Sequence, residues 1–369
     1  MKFRLIAIIL VIIFTFTGCF SYRDINRVLF DLAILIDIDD NGNIILYTEC
    51  FKAFKGVSQG IEQGVRIVNR VEGKTIFEAV RNSNLDSGYK HNYTQNKAII
   101  FTERAARRGL KDVLDFLDRD QEFLIRPYVF VYMGDVDQLI HINIKDEEYL
   151  GTYLYSLIQN IGTASRAVIV NLNEFLNRRY MLSSTEVVSV LRVKEKAVMD
   201  RIQLDGGAVI QNDRMVDYIP IEQSQAYNFL RNEVDSGTLE VTNPSYQDGY
   251  VTLEIVKSRT KTRIKYDGRK IKLYKFIKVN TSIGEAQYKF EMTEDVIKKI
   301  EEEAERNIKK YCKELFEEYK MKKIDIFEIA DELHRYYPKV KIENPIEITE
   351  LNIVVDVNVE GSSKKLDFR

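Results

Sequence analysis

Tryptophan is absent from this chain of 369 residues, and cysteine, histidine and proline are scarce, with three, three and five copies. So few cysteines and histidines exclude a disulfide framework and a protein that holds several metal ions. The chain also lacks an excess of basic charge, since 54 lysines and arginines meet 56 acids, and this weighs against a nucleic-acid-binding protein. What remains is an ordinary globular composition, long enough for two or three domains.

Long apolar runs are absent too, except at the amino end. Residues 5–17 form an apolar run of 13 residues behind Lys2 and Arg4. A membrane-spanning helix needs about 20 such residues, whereas the shorter run is typical of the core of a secretory signal. Gly18 and Cys19 follow at once. A small residue before a cysteine at this place is the signature of a bacterial lipoprotein signal, whose processing attaches diacylglycerol to the thiol.

We therefore expect residues 1–18 to be a signal peptide that is cleaved between Gly18 and Cys19. The lipidated Cys19 would tether the chain to a membrane surface outside the cytosol, because several acyl chains give stable anchoring. An uncleaved amphiphilic anchor, or a plain secretory signal with a chance cysteine, is the alternative. Cys50 and Cys312 lie in a strand-like and a helical segment, where buried free thiols are commoner than a disulfide.

The amino-terminal part, residues 19–200, alternates between strand-like and helical segments. Asn41-Gly42 separates two apolar-rich runs and predicts a hairpin. Thr75 with Glu78 forms a capping box that opens a helix, and residues 104–120 have apolar side chains at helical spacing. This alternation predicts a mixed sheet with helices packed on it.

The carboxy-terminal part, residues 201–369, is richer in strands. Asn212-Asp213 predicts a hairpin turn, and four alternating strands are predicted at residues 238–242, 250–258, 260–267 and 270–280. A long amphipathic helix begins after Thr293. A second helix, capped by Asp325 and stopped by Pro338, is followed by a two-faced strand at residues 351–360. The fold class is therefore α+β, a mixed multidomain fold with antiparallel or mixed sheets and packed helices.

Motifs for catalysis or metal binding are missing from the sequence. Asp37, Asp39 and Asn41 resemble the start of an EF-hand calcium loop, but its twelfth position is Thr48 rather than glutamate, so a hairpin turn with solvated acids is expected. No Walker loop, nucleophile elbow or dinucleotide fingerprint is present. We therefore predict a non-enzymatic protein with no catalytic residue, no metal and no cofactor.

The three histidines are scattered, and none has zinc-site spacing. His91, His141 and His334 are therefore interpreted as surface or packing residues. The basic stretch at residues 104–111 is interleaved with acids and is interpreted as a solvated helix face, with a contact to a partner or to anionic lipid as the alternative.

Several blocks of the sequence occur in the order known from one family. They are Gly18-Cys19, LAI at 32–34, GKTIFEA at 73–79, the long block at 103–131, the hairpin at 206–219 and the element at 324–339. In this order the chain resembles the C subunit of bacterial spore germinant receptors, the GerC-like lipoproteins. It departs from them at Phe20, where the family often has tryptophan, and at residues 328–330, where the family has glycines.

The resemblance implies a mixed α/β fold in three domains, so that residues 19–200 would contain two small subdomains. It also implies a non-catalytic subunit on the outer face of the spore inner membrane, needed for germination. Its partners would be the membrane-embedded A and B receptor subunits and, through acylated Cys19, the lipid bilayer. The alternatives are a solute-binding lipoprotein that captures a small nutrient directly and a secreted hydrolase.

Overall fold

The structure is a computed structural model and describes residues 27–52, 66–144, 147–160, 165–194, 201–288, 290–360 and 367–368. Gly18 and Cys19, and with them the predicted signal peptide, lie outside these residues. Within the described part of the chain, no helix is long and apolar enough to cross a membrane.

The amino-terminal part is built on one large mixed sheet. Its strands are β1 (Val28–Ile38), β2 (Ile44–Lys52), β3 (Arg66–Gly73), β4 (Lys90–Asn92), β5 (Ala98–Thr102), β6 (Tyr128–Tyr132), β7 (Thr185–Lys194), β8 (Arg201–Gln211) and β9 (Arg214–Ile219). Along the sheet the order is β3-β2-β1-β5-β6-β7-β8-β9, and β4 extends the β1 edge that β5 occupies further along. Strands β1, β5, β6 and β7 run parallel in the centre, and antiparallel hairpins flank them.

Helices cover both faces of this large sheet. They are α1 (Ile76–Asp86), α2 (Glu103–Arg108), α3 (Lys111–Arg119), α4 (Val136–Ile140), α5 (Leu150–Asn160) and α6 (Leu172–Arg179). Alternate residues of β1 enter two separate cores: Ile34 and Ile36 pack with α1, α2, α3 and α6, whereas Ala33 and Leu35 pack with α4 and α5. Burial on both faces of the sheet explains why the sequence of β1 is a nearly continuous apolar run.

A smaller sheet forms the carboxy-terminal part. It contains β10 (Gly237–Asn243), β11 (Tyr246–Tyr266), β12 (Ile271–Ala286) and β14 (Thr349–Val359), in the order β10-β11-β12-β14. The short β13 (Phe290–Glu291) and β15 (Asp367–Phe368) pair separately. Helix α8 (Glu294–Lys322) packs across one face of the sheet, with α7 (Ile221–Arg231) and α9 (Ile329–Tyr336) beside it.

Most predicted elements are confirmed. The hairpins at Asn41-Gly42 and Asn212-Asp213 form as expected, and Thr75 accepts the Glu78 N–H at the start of α1. The long helix buries an apolar stripe on its own sheet, and this stripe includes Ile308, Cys312 and Leu315. Mixed sheets with packed helices confirm the α+β fold class.

Three boundaries differ from the predictions. The helix predicted over 104–120 is broken at Gly109, whose φ of 129° is outside the helical range, and the Leu110 N–H donates to the Asp213 carbonyl. The strands predicted at 250–258 and 260–267 are one strand, β11, because β12 pairs with it from Val251 through to Tyr266. Helix α9 begins only at Ile329, since the Asp325 carboxylate first accepts the N–H of Phe327 in a local turn.

The large sheet continues across the predicted division at residue 200. Strand β7 pairs with β8 and β8 with β9, so β8 and β9 belong to the same sheet as the amino-terminal strands. The division into 19–200 and 201–369 therefore falls between two paired strands, and as a domain boundary it stays a prediction.

Candidate functional site

The calcium-like sequence at residues 37–41 is a hairpin turn with an arginine beside it. Asp37 is buried and accepts hydrogen bonds from Thr102 and Arg104. Burial alone would raise the pKa of Asp37, but these donors outweigh it and lower the pKa. Asp39 accepts from the Asn43 N–H at 2.7 Å. Because Arg104 already neutralises the carboxylate that would begin a calcium loop, the hairpin interpretation holds.

The amino-terminal sheet contains a buried cluster of three polar side chains, Asp31 on β1, Cys50 on β2 and His91 on β4. All three are fully buried. His91 Nδ1 lies 2.9 Å from Asp31 Oδ1, and the Cys50 thiol donates to the same oxygen at 3.1 Å. The other Asp31 oxygen accepts the Asn92 N–H at 3.1 Å. Each oxygen of the carboxylate therefore has at least one hydrogen-bond partner, as a buried acid requires.

Burial decides the protonation chemistry of this cluster. It raises the pKa of Asp31, and the donors His91, Cys50 and Asn92 offset only part of the effect. Burial beside Asp31 also raises the pKa of the Cys50 thiol far above its usual range. A thiol held in its neutral form is a poor nucleophile, so the cluster lacks the activated cysteine that a Cys-His catalytic pair needs.

Cysteine, histidine and aspartate are also zinc ligands, and the three ligand atoms lie within 4.8 Å of one another. A tetrahedral zinc ion at its normal bond lengths would hold these atoms about 3.4–3.6 Å apart. The oxygen of Asp31 is instead 2.9 Å from His91 and 3.1 Å from Cys50, which are hydrogen-bond distances. The cluster is therefore a hydrogen-bonded structural element that locks β1, β2 and β4 together.

The sequence could not single out this cluster. Asp31 stands in an apolar run, and Cys50 and His91 follow it by 19 and 60 positions, without any motif spacing. His91 is a buried packing residue, as interpreted, whereas His141 and His334 are exposed. The one feature of the sequence that could have pointed to the cluster is an acid, Asp31, within a run that is otherwise mostly apolar.

A second polar cluster connects the amino-terminal sheet with the carboxy-terminal part. Arg178, at the end of α6, donates to Glu186 of β7 at 2.9 Å and to Glu233 at 2.9 Å. Arg231, at the end of α7, pairs with Glu328 at 2.5 Å, just before α9. Each arginine of the cluster has a carboxylate within 4 Å, although the buried Arg231 Nε has no hydrogen-bond acceptor among the described residues. This internal charge pairing gives the cluster the character of a structural junction.

A surface cleft of about 760 Å³ lies between the turn at Gly42, the start of α1 and helix α3. Its apolar lining includes Phe77 and Phe116, which are in edge-to-face contact. Two of its charged rim residues are engaged within the chain: Arg108 donates to the Asp39 carbonyl at 2.6 Å, and Asp115 pairs with Lys111 at 2.9 Å. Polar groups that are already paired do not favour direct capture of a nutrient here.

The basic stretch at 104–111 is likewise occupied by partners within the chain. Arg104 pairs with Asp37, Arg107 with Glu103, and Lys111 with Asp115. These ion pairs explain why the charges lie together on a half-exposed helix face. They agree with the interpretation of this stretch as a solvated helix face.

Comparison with known proteins identifies the family. Residues 21–193 match the family model described as "Spore germination protein N-terminal domain", and residues 205–363 match the one described as "Spore germination B3/ GerAC like, C-terminal". Among curated proteins, the chain is 22% identical to "Spore germination protein KC" of Bacillus subtilis (strain 168), covering 92% of this chain and 88% of that protein.

Two further comparisons agree. The chain is 22% identical to "Spore germination protein GerQC" of Bacillus cereus, over 75% of this chain and 76% of that protein. The solved structure titled "Crystal Structure of the GerBC protein" has the same fold, with a TM-score of 0.55 and 15% identity over 88% of this chain and 96% of that one. With both family models matched in tandem along nearly its whole length, this chain belongs to the GerC-like (GerAC) family of spore germination proteins.

Proposed function

We propose that this spore germination protein is the lipid-anchored, non-catalytic C subunit of a nutrient germinant receptor, held on the outer face of the spore inner membrane. Cys19 carries the lipid, and the folded body contacts the A and B membrane subunits. The subunit has no reaction of its own and acts by assembly with them.

One observation carries this proposal: the two germination domains follow, without a gap, a leader that ends in Gly18-Cys19. The first match begins at residue 21, two positions after the cysteine. A lipidated Cys19 would therefore place the first domain directly at the bilayer surface. The paired, buried polar clusters support a non-catalytic role, because neither offers an activated nucleophile or a free acid–base pair.

The anchoring step is tested with Cys19→Ala, using Cys312→Ala as the matched control. Cys312 is buried on α8 with a pKa raised by burial to about 12, so its removal leaves lipidation unaffected. We expect Cys19→Ala to lose the acyl mass by mass spectrometry and to germinate poorly with nutrients, while Cys312→Ala keeps both. An unmodified native chain, or normal nutrient germination of the Cys19→Ala strain, contradicts the proposal.

Assembly is tested separately by purifying the tagged chain from spore membranes in mild detergent. A- and B-type membrane subunits should co-purify in constant ratio. Isothermal calorimetry of the purified chain with amino-acid and sugar pools should give no heat of binding. Heat from the isolated chain, without the other subunits, would instead support the solute-binding alternative.

A further inference from the structure

No helix among the described residues covers the second face of the carboxy-terminal sheet. Helix α8 packs on the face that carries Leu253, Leu273 and Ile353, all of which are buried. On the other face, Phe276 is 38% exposed and Val354 is 54% exposed, at paired positions of β12 and β14. Exposed apolar side chains in the middle of an open sheet face indicate a surface that meets something outside the chain.

Basic side chains line one edge of this open face. Five alternate residues of β11 point outward and are exposed: Lys257, Arg259, Lys261, Arg263 and Lys265. We call these five residues the basic stripe. At about 6.6 Å between alternate residues, the stripe is about 27 Å long. It gives a strong local positive charge to a chain whose net charge is −2.

The charges of the stripe have few partners within the chain. Arg263 lies over the Phe276 ring at 6.0 Å and Lys265 over the Tyr274 ring at 5.9 Å. Lys257, Arg259 and Lys261 form no ion pair with another described residue, whereas Lys278 of β12 pairs with Asp356 of β14 at 3.5 Å.

Two acids lie near the stripe. Glu254 is exposed on β11, three residues before Lys257, and Asp356 of β14 lines the same groove as Lys257. Because β14 lies two strands from β11, about 10 Å or one Debye length at moderate salt, Asp356 screens the stripe only weakly, and the five cations outnumber both acids. Pairing of β10 with β11 ends at Ile255, so among the described strands β11 forms the sheet edge along the stripe, where the Thr260 N–H donates to the Asn232 side chain at 2.5 Å.

The open face is concave as well as charged. A groove of about 530 Å³ has Phe276 and Val354 in its lining, with Lys257, Arg259 and Lys261 along one side. Cations around exposed aromatic and aliphatic groups match the interface of a bilayer, where phosphates meet the first methylene groups. An acidic protein segment would match the charges but not the exposed apolar lining as well.

We propose that the basic stripe docks this face on anionic phospholipid headgroups of the membrane that carries the chain, with the β11 edge toward the bilayer and the β14 edge away from it. The inference rests on the proposed lipid anchor at Cys19. Eight residues lie between Cys19 and Val28, at the start of β1, and the nine steps along the chain span at most about 32 Å. The tether therefore keeps the start of β1 within that distance of the bilayer surface.

The test uses the processed, lipidated full chain on vesicles of neutral phosphatidylcholine and on vesicles with about 30% phosphatidylglycerol. Acetylation of lysines by a water-soluble ester is read by mass spectrometry. We expect Lys257, Lys261 and Lys265 to react at least about threefold more slowly on the anionic vesicles, and to recover at about 0.5 M salt. Lys298 and Lys309, exposed on α8, should react equally on both.

A pair of variants with equal charge change sharpens the test. Arg259→Glu with Arg263→Glu keeps the three reporter lysines and should abolish their protection. Lys298→Glu with Lys309→Glu, on α8, should leave it intact. Equal labelling on the two vesicle types, or unchanged protection in the stripe variant, overturns the proposal and leaves the charges as a guard against edge pairing. Protection that requires the other receptor subunits rather than anionic lipid overturns it in favour of a protein partner.

The experiment distinguishes failure of the proposed lipid anchor at Cys19 from failure of the proposed docking face. Retention on the neutral vesicles reports the acyl group of Cys19, whereas the difference between neutral and anionic vesicles reports the stripe. A chain that leaves neutral vesicles but is still protected on anionic ones would contradict the anchor and support the docking face.

Discussion

The two large sheets of this protein differ in how many of their faces are covered. Helices lie on both faces of the amino-terminal sheet, and its polar cluster at Asp31 is sealed inside with its own donors. Described helices cover one face of the carboxy-terminal sheet, and on the other face the cations of β11 are exposed to solvent. The first sheet therefore uses its polar cluster for internal cohesion, whereas the second carries exposed charges that are available for an external contact.

The same contrast occurs within one strand. On β12, Lys275 lies on the core face and donates to the Leu230 carbonyl at 2.7 Å and to the Thr262 hydroxyl at 2.9 Å. Leu230 is in the last turn of α7, where a cation is favoured by the helix dipole and by the unpaired carbonyls. On the same strand as Lys275, Phe276 and Lys278 face outward and are exposed. A lysine of β12 is therefore buried where a helix end supplies carbonyl acceptors, as for Lys275, and exposed where no helix faces it, as for Lys278.

The largest expected effect is a loss of stability, and it compares adjacent residues on the two faces of β12. Ile277→Ala removes a buried side chain from the core face and should lower the free energy of unfolding by about 4 kcal/mol. Phe276→Ala, on the open face, should cost less than about 1 kcal/mol. Urea unfolding of both variants measures this, and similar losses would show that the open face is covered within the chain.

The buried cluster of the first sheet gives the next effect. His91→Ala leaves the Asp31 carboxyl without its closest side-chain donor and should cost about 3 kcal/mol of unfolding free energy. His141→Ala, at an exposed position, should change it by less than about 0.5 kcal/mol. Thermal or urea unfolding measures both, and equal stability of the two variants would disprove the locking role of the cluster.

The buried Lys275 should make the stability of the protein depend on pH. Burial lowers its pKa to about 8, whereas the unfolded chain keeps the ordinary value of 10.5. Between these pH values the unfolded state binds the extra proton, so the free energy of unfolding should rise with pH, by up to about 1.4 kcal/mol per unit. Subtracting the profile of Lys275→Met isolates this slope, and parallel profiles of the two proteins would contradict it.

The smallest effect belongs to the basic stripe. Arg259→Gln removes an exposed charge that forms no ion pair with a described residue, so stability should change by less than about 0.5 kcal/mol. A larger loss in urea unfolding would mean that Arg259 holds the fold rather than meeting a partner.

The comparison also explains which parts could be read from the sequence. Hairpin turns, helix caps and apolar periodicity depend on residues a few positions apart, so β1–β2, β8–β9, α1 and α8 were predictable. The continuity of β11 was not, because pairing with β12 carries it through the point where the two predicted strands were separated. The break at Gly109 was also hidden, since the Leu110 N–H finds its acceptor at Asp213, about 100 positions away.

Residue order alone was enough to predict the α+β class and to recognise the order of blocks that marks the family, and it predicts a leader that ends in Cys19. These features depend on residues that are close together in the chain. The three-dimensional fold was needed to show that Asp31, Cys50 and His91 meet, that Lys275 is buried while Lys278 is not, and that β11 presents its cations on a face that no described helix covers. Those outcomes depend on which distant segment packs on each face, and side-chain alternation along a strand does not specify which segment that will be.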